Sequence, residues 1–102
     1  MPHQSTGQIE ANIVELCSED DYGSWELWWN TSADVPTNRI PDVRMQFLDA
    51  VSSLVSDGSL IAKRHSGDGG IVPTQFDREK LAREIDFTGD PDPDSFFWFG
   101  TD

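Results

Sequence analysis

The sequence of 102 residues predicts one α+β domain: a helical core, a β-hairpin, a C-terminal helix and a closing aromatic strand. Three observations predict this class. Apolar side chains recur at helical spacing between residues 42 and 57. Two short apolar runs flank the glycine-rich stretch 66–70, which is typical of a hairpin. The aromatic run at 96–99 favours a strand. A chain of this length forms a single modest core.

The first third of the chain predicts a flexible start and two helices. We expect residues 1–8 to be flexible and a short amphipathic helix to occupy 8–17. Trp25, Trp28 and Trp29 stand at i, i+3 and i+4, which favours a helix over 24–30. A strand is the alternative there. Ser24 is the expected N-cap. Because Leu27, the third helical residue after it, is not acidic, we expect no capping box.

The remaining elements follow from turn residues and apolar spacing. Residues 30–41 predict a loop, and 42–57 the longest helix, ended by Gly58. Strands are predicted at 60–65 and 71–72, with Pro73 ending the second. A last helix is expected at 77–85, capped by Thr74 or Asp77, followed by an extended stretch at 89–94 and a strand at 95–100.

The order of helices, hairpin and glycine turn resembles the winged helix. The residues that carry the resemblance are Asp42–Asp57, Gly58-Ser59-Leu60-Ile61 and the hairpin through Val72. Together with Tyr22-Gly23-Ser24-Trp25-Glu26-Leu27, they look like small bacterial proteins with winged-helix-like domains. The resemblance covers residues 9–73 of the single domain 1–102 and leaves 74–102 as a C-terminal extension. It implies a fold more than an activity, since one fold hosts many functions.

The net charge of −12 is unevenly distributed along the chain. Residues 1–38 hold seven acids and no Lys or Arg, residues 39–85 are neutral, and 86–102 hold five acids and no base. Such a field repels nucleic-acid phosphates and anionic lipid and favours a basic partner. The alternative is that the acids serve only solubility, or adaptation to a salt-rich cytoplasm. No apolar run is long enough to span a membrane, and the first residues lack the pattern of a signal peptide. The expected location is the cytoplasm.

The residue types present argue against catalysis, metals and cofactors. His65 is expected at a flexible hairpin tip, and Cys17 has only acidic neighbours, which oppose a reactive thiolate. Asp90, Asp92 and Asp94 alternate like a calcium loop but lack its Gly and Glu. The glycines of 67–70 are followed by no Lys-Ser/Thr, so they form no phosphate loop. We therefore expect no catalytic residues, no metal and no cofactor.

Two classes of binding function are open. The first is a non-enzymatic acidic protein that masks a basic surface of a partner, as small immunity proteins, antitoxins and phage inhibitors do. Its predicted contact residues are acids and aromatics of the two acidic ends, the usual interface anchors: Glu19, Asp20, Asp21, Tyr22, Trp25, Trp29, Asp90, Asp92, Asp94 and Trp98.

The second class is a winged-helix transcription regulator that binds DNA. Its contacts would be Arg39 and Arg44 around the start of the long helix and Lys63 and Arg64 on the wing. The low pI of about 4.2 weighs against nucleic acid. An accessory subunit of a larger enzyme is a third alternative. The oligomeric state is open, with a homodimer as one alternative.

Overall fold

The computed structural model describes residues 6–101, along which four α-helices and four short strands follow one another. The predicted α+β class is confirmed. No helix within 6–101 is long and apolar enough to cross a membrane. In chain order the elements are α1 (Thr6–Glu19), β1 (Tyr22–Gly23), α2 (Ser24–Ser32), α3 (Ile40–Ser56), β2 (Ile61–His65), β3 (Ile71–Pro73), α4 (Arg78–Ile85) and β4 (Trp98–Gly100), with a 3-10 turn at Thr37–Arg39 before α3.

Helix α1 starts earlier than its apolar residues indicate. Residues 6–8, predicted to be flexible, form its first turn, so that prediction is wrong for them; residues 1–5 lie outside the described residues. Ile9, Ile13 and Cys17 are buried at i, i+4 and i+8, and this stripe faces α3. The burial of that stripe, rather than intrinsic propensity, stabilises the helix.

Helix α2 confirms the helical prediction for 24–30 but starts differently. Gly23, not Ser24, is the N-cap, so the third helical residue is the acidic Glu26. The N–H of Gly23 donates to Glu26 Oε1 at 3.0 Å, which is the side-chain contact of a capping box. The Ser24 hydroxyl instead donates to Glu84 Oε1 at 2.6 Å. A Cβ at position 23 would lie 2.4 Å from the Trp25 ring, so this close approach needs glycine.

Helix α3 and the hairpin match the sequence prediction closely. The helix begins at Ile40, and Pro41 stands in the first turn, where a missing N–H breaks no helical bond. It ends before Gly58, whose φ of +84° is left-handed. Strands β2 and β3 pair antiparallel around the turn at 66–70, closed by the Ser66 N–H donating to the Gly70 carbonyl at 2.8 Å.

The sheet is antiparallel throughout, in the order β1-β4-β2-β3. The C-terminal strand β4 therefore lies between β1 and β2, with Phe99 opposite Tyr22 on one side and Ala62 on the other. The strand predicted at 95–100 is confirmed for 98–100. The extended stretch predicted at 89–94 is wrong at its end, because Asp92 organises a turn: its carbonyl accepts from the N–H groups of residues 95 and 96 at 3.1 Å.

Helix α4 matches its predicted range and is capped by Asp77, whose Oδ1 accepts the backbone N–H groups of Glu79 and Lys80. It lies against α2 and α3. The core draws on every helix and on β2 and β4: Ile9, Ile13, Cys17, Leu27, Val43, Phe47, Leu48, Ala50, Val51, Leu54, Leu60, Ala62, Leu81, Ile85, Phe97 and Phe99. Because β4 is central, the chain segment leading into it passes directly beside α2.

Candidate functional site: an aromatic cleft bordered by acids

Helix α2 places its three tryptophans in three different surroundings. The Trp28 ring turns toward the core and meets the buried ring of Phe47 at a centroid distance of 5.4 Å. Trp25 is half-buried against the C-terminal segment. Trp29 is 57% exposed, and its side chain makes no hydrogen bond or ring contact with any residue between 6 and 101. A large, exposed and unpartnered indole is typical of an interface anchor.

Trp25 joins α2 to the C-terminal segment. Its ring lies edge-to-face with that of Trp98, at 5.3 Å and 83°, and with that of Phe96, at 5.7 Å and 70°. Trp98 in turn donates its indole N–H to the Pro93 carbonyl at 2.9 Å. Edge-to-face ring pairs contribute about 0.5–1.5 kcal/mol each beyond their burial. These contacts hold residues 86–95, which we call the acidic loop, beside α2.

A narrow cleft of about 20 Å³ separates α2 from the acidic loop, and we call it the aromatic cleft. Trp25 and Trp29 line it from α2; Phe87, Pro91 and Phe96 line it from the C-terminal segment. The ring of Phe87 is perpendicular to that of Phe96 at 5.5 Å, and Phe87 is 52% exposed. Two highly exposed aromatic side chains therefore line the same concavity.

The acidic loop contributes Phe87, Gly89 and Pro91 to this cleft, and its aspartates lie outside the lining. It contains four aspartates and no Lys or Arg, and all four are exposed: Asp86, Asp90, Asp92 and Asp94. Asp90 forms no ion pair with any residue of the described chain. Helix α2 belongs to segment 1–38 and the loop to segment 86–102, so aromatic side chains of both segments line the cleft.

The structure separates the predicted partner-binding residues into two groups. Trp25 and Trp29 line the aromatic cleft, and Trp98 contacts Trp25. Asp90, Asp92 and Asp94 belong to the acidic loop outside that lining, with Asp94 Oδ1 3.8 Å from His65 Nδ1. The remaining four lie elsewhere: Glu19 and Asp20 are exposed at the end of α1, Asp21 pairs with Lys63 at 3.0 Å, and Tyr22 is in β1 opposite Phe99.

Three of the four cations assigned to the nucleic-acid alternative are engaged within the protein. Arg44 forms a bidentate pair with Asp86, Nε to Oδ1 at 2.8 Å and a terminal nitrogen to Oδ2 at 2.7 Å. Lys63 is paired with Asp21, and Arg39 lies 3.8 Å from a carboxylate oxygen of Asp42. Arg64 is exposed and forms no ion pair within residues 6–101.

Glu84 is a buried polar centre that sequence reasoning missed. Its side chain is almost fully buried; Oε1 accepts the Ser24 hydroxyl at 2.6 Å and the Phe97 N–H at 2.9 Å, while Oε2 pairs with Lys80. It thus connects α4 to the start of α2 and to the residue before β4. The sequence contained a signal for the burial of Glu84, since it shares one helical face with the apolar Leu81 and Ile85 at i, i+3 and i+4.

A larger groove is lined by residues of β2, by the start of α4 and by the segment that precedes β4. It has a volume of about 710 Å³ and includes Arg78 and Lys80. Both cations have carboxylate partners, since Arg78 lies 2.8 Å from an Asp49 oxygen and Lys80 pairs with buried Glu84 while donating to the Ser95 carbonyl at 2.7 Å. These contacts join neighbouring elements, so this groove offers few free groups to a ligand.

The structure also revises the environment of His65. It was expected at a solvated hairpin tip, but it ends β2, and its half-buried ring lies 5.2 Å from that of Trp98, with Nδ1 3.8 Å from Asp94 Oδ1.

Cys17 is buried, and burial, followed by the nearby charge of Asp21, raises its pKa to about 12. Among residues 6–101, no group of three His, Cys, Asp or Glu side chains is placed to hold a metal ion.

Comparison with known proteins gives no match to a family model, to a curated protein or to a solved structure.

Proposed function

We propose that this protein is a non-enzymatic binding protein that masks a basic surface of a protein partner. The observation that carries the proposal is the aromatic cleft, lined by exposed Trp29 and by exposed Phe87 of the acidic loop. The same loop carries Asp90, Asp92 and Asp94, which are exposed and have no Lys or Arg partner among residues 6–101. Interfaces combine aromatic anchors with a polar rim, and the sign of the charge selects the partner. An inhibitor, immunity protein or antitoxin would act in this way in the cytoplasm.

The fold supports the choice of this surface over the rest of the chain. Helix α2 and the acidic loop are far apart in sequence, yet the contacts of Trp25 with Trp98 and Phe96 join them. A negative surface accelerates encounter with a cationic protein through long-range attraction, whereas the aromatic anchors govern dissociation. The cation pairs of Arg44 and Lys63 weigh against the winged-helix regulator as a second function.

The test compares two charge reversals of equal size. Asp90→Lys changes the acidic loop, and Glu79→Lys changes an equally unpaired, exposed acid on α4. Proteins captured from the source cells are identified, purified, and measured for association rate between about 0.05 and 0.5 M salt, a range over which the Debye length shortens severalfold. We expect a basic partner whose association slows with salt and with Asp90→Lys, but much less with Glu79→Lys.

Two outcomes would overturn the proposal. One is a capture in which every protein retained by the wild type is retained equally by Trp29→Ala and Asp90→Lys. The other is a specific partner whose association rate is independent of salt and of both reversals, because the acids would then serve solubility alone.

A further inference from the structure

We infer that a pocket beside helix α4 binds the C-terminal residue of a peptide, with the carboxylate at Arg83 and an apolar side chain against Phe87 and Phe96. The inference does not rest on the proposed function, because it concerns a different concavity and a ligand of the opposite charge. We call this concavity the α4 pocket, and its lining consists of Lys80, Arg83, Glu84, Phe87, Ser95 and Phe96.

The α4 pocket has room for a side chain. Its volume is about 280 Å³, near the lower end of the range of small-ligand sites, which is about 300–1,000 Å³. Its apolar wall consists of Phe87, whose side chain is half exposed, and of Phe96, whose ring is perpendicular to that of Phe87 at 5.5 Å. An apolar group bound here would remove exposed ring surface of Phe87 from water, and this burial favours binding.

The charge of the lining favours an anion, although the chain as a whole is acidic. Lys80 pairs with buried Glu84, donates to the Ser95 carbonyl and lies over the ring of Phe97, so it is fully engaged. Arg83 is exposed and forms no ion pair or side-chain hydrogen bond within residues 6–101. Two cations and one carboxylate leave one positive charge in the lining, and the free group is a guanidinium, whose planar shape matches a carboxylate.

The nearest acids along the chain do not supply a partner for Arg83. Glu79 lies outside the lining and forms no ion pair in the part of the chain that the structure describes. Asp86 holds the guanidinium of Arg44 with two hydrogen bonds. A carboxylate brought by a ligand would therefore be the partner that Arg83 lacks.

The last residue of a peptide carries both groups that the α4 pocket can bind. Its carboxylate and its side chain are attached to the same carbon atom, whereas an internal aspartate or glutamate brings no apolar group of its own. The α4 pocket shares Lys80, Ser95 and Phe96 with the larger groove of about 710 Å³, so the residues that precede the chain end can continue into that groove. Capture of a C-terminal carboxylate is a recurring mode of peptide recognition. The occupant that fits is a chain end with an apolar last residue, rather than a small free carboxylate.

The experiment uses three N-acetylated tetrapeptides and one small carboxylate. The peptides are Ala-Ala-Ala-Phe with a free carboxylate, the same peptide with a C-terminal amide, and Ala-Ala-Ala-Ala with a free carboxylate; the small compound is N-acetylphenylalanine. Each is titrated into the 102-residue protein, and NMR follows the Arg83 Nε–H signal and the backbone N–H signals of residues 83–87. The salt concentration is about 0.15 M, where a Debye length of about 8 Å screens the repulsion from distant acids.

The four probes should differ in affinity in a defined order. We expect the phenylalanine peptide with a free carboxylate to bind about two- to fivefold more tightly than its amide, the range of a solvent-exposed ion pair. The alanine peptide should bind about tenfold more weakly, because it lacks the ring that would be buried against Phe87. N-acetylphenylalanine should bind more weakly than the phenylalanine peptide, because it does not extend into the larger groove.

Three variants separate the Arg83 contact from other sources of affinity. Arg83→Gln should remove the preference for the carboxylate over the amide. Arg64→Gln is the matched control and should preserve it, since Arg64 is also exposed without an ion pair in the described chain but lies outside the lining of the α4 pocket. Phe87→Ala should weaken binding of the phenylalanine peptide but not of the alanine peptide. All three side chains are exposed, so these variants are expected to fold, which circular dichroism checks.

Three outcomes would overturn the inference. Equal binding of the acid and the amide, or a preference that persists in Arg83→Gln, would contradict the role of Arg83. Equal binding of N-acetylphenylalanine and the phenylalanine peptide would contradict the assignment to a chain end and indicate a small carboxylate as the ligand. An Arg83 signal that no probe shifts at millimolar concentration would contradict the α4 pocket as a binding site. The proposed function would stand in each case, since none of these probes is basic.

Discussion

At the scale of single residues, Glu84 shows how a buried charge can be compatible with a small core. A carboxylate removed from water is costly unless its oxygens are satisfied. Here Oε1 accepts a hydroxyl and a backbone N–H, and Oε2 pairs with the ammonium group of Lys80. The residue therefore connects the start of α2 to the segment before β4, and its own side chain is among those that line the aromatic cleft.

Replacing Glu84 by alanine should lower the free energy of unfolding by about 3 kcal/mol or more, because it leaves the Ser24 hydroxyl and the Phe97 N–H buried without a partner. Urea unfolding measures the loss. Glu79→Ala on the same helix is the control and should change stability by about 0.5 kcal/mol or less, since Glu79 is exposed. Equal effects of the two variants would refute the connecting role of Glu84.

The raised pKa of Cys17 predicts how the free energy of unfolding changes at alkaline pH. Burial first, and Asp21 second, raise its pKa from 9.0 to about 12 in the folded protein. An acid with a raised folded pKa stays protonated in the native state, while the unfolded thiol ionises above pH 9. Its contribution to stability is therefore fully present below pH 9 and is lost as pH rises from 9 toward 12.

Between pH 9 and pH 10, we expect the free energy of unfolding of the wild type to fall by about 1 kcal/mol more than that of Cys17→Ala. That subtraction removes the groups that titrate in both proteins. Urea unfolding at each pH provides the values, and a thiol reagent should label the wild type only under unfolding conditions. Rapid labelling of the native protein at pH 8 would contradict a buried, protonated thiol.

At the scale of elements, β4 decides the architecture. Only three residues long, it pairs with β1 on one side and β2 on the other, and Phe99 at its centre is fully buried.

Phe99→Ala should reduce the free energy of unfolding by about 3–5 kcal/mol, the usual cost of such a cavity. Trp29→Ala, the same kind of truncation at an exposed site, should cost about 0.5 kcal/mol. Similar costs for the two truncations, compared by urea unfolding, would show that β4 does not hold the sheet together.

The elements also show which parts of the fold the sequence could predict. Helix α3 and the β2–β3 hairpin were predictable because their signals are local: an apolar stripe, a glycine stop and a glycine-rich turn. Strand β1 was not, because two residues give no alternation and its partner, Phe99, lies near the other end of the chain. The cap of α2 was misplaced because the Ser24 hydroxyl is directed to Glu84, a contact across sixty positions.

The same distinction applies to the candidate site. The sequence identified Trp25, Trp29 and Trp98 as anchors because large aromatics in acidic segments are unusual for a small core. Phe87 was left out of the predicted contact residues, because it becomes part of the cleft only when the acidic loop folds back beside α2. The ion pair of Asp21 with Lys63 was not predictable either, since Lys63 belongs to a strand that local patterns do not connect with Asp21.

At the scale of the whole molecule, the fold pairs most of the cations internally and leaves acids in excess. The neutral segment 39–85 contains every Lys and Arg of the sequence, and its cations are largely paired with acids: Arg39 with Asp42, Arg44 with Asp86, Lys63 with Asp21, Arg78 with Asp49 and Lys80 with Glu84. Those pairs hold elements together and leave little positive surface for a polyanion.

This distribution predicts the response to DNA. Duplex binding relies on cations that displace counterions from phosphates, and a net charge of −12 opposes it. We expect no measurable binding of a labelled duplex at about 0.15 M salt in a fluorescence polarisation assay. Of the four candidate cations, only Arg64 is exposed without an ion pair in the described chain, and one contact supports little affinity. Submicromolar binding that disappears in Lys63→Ala with Arg64→Ala, or in Arg44→Ala, would instead establish the winged-helix regulator as the better hypothesis.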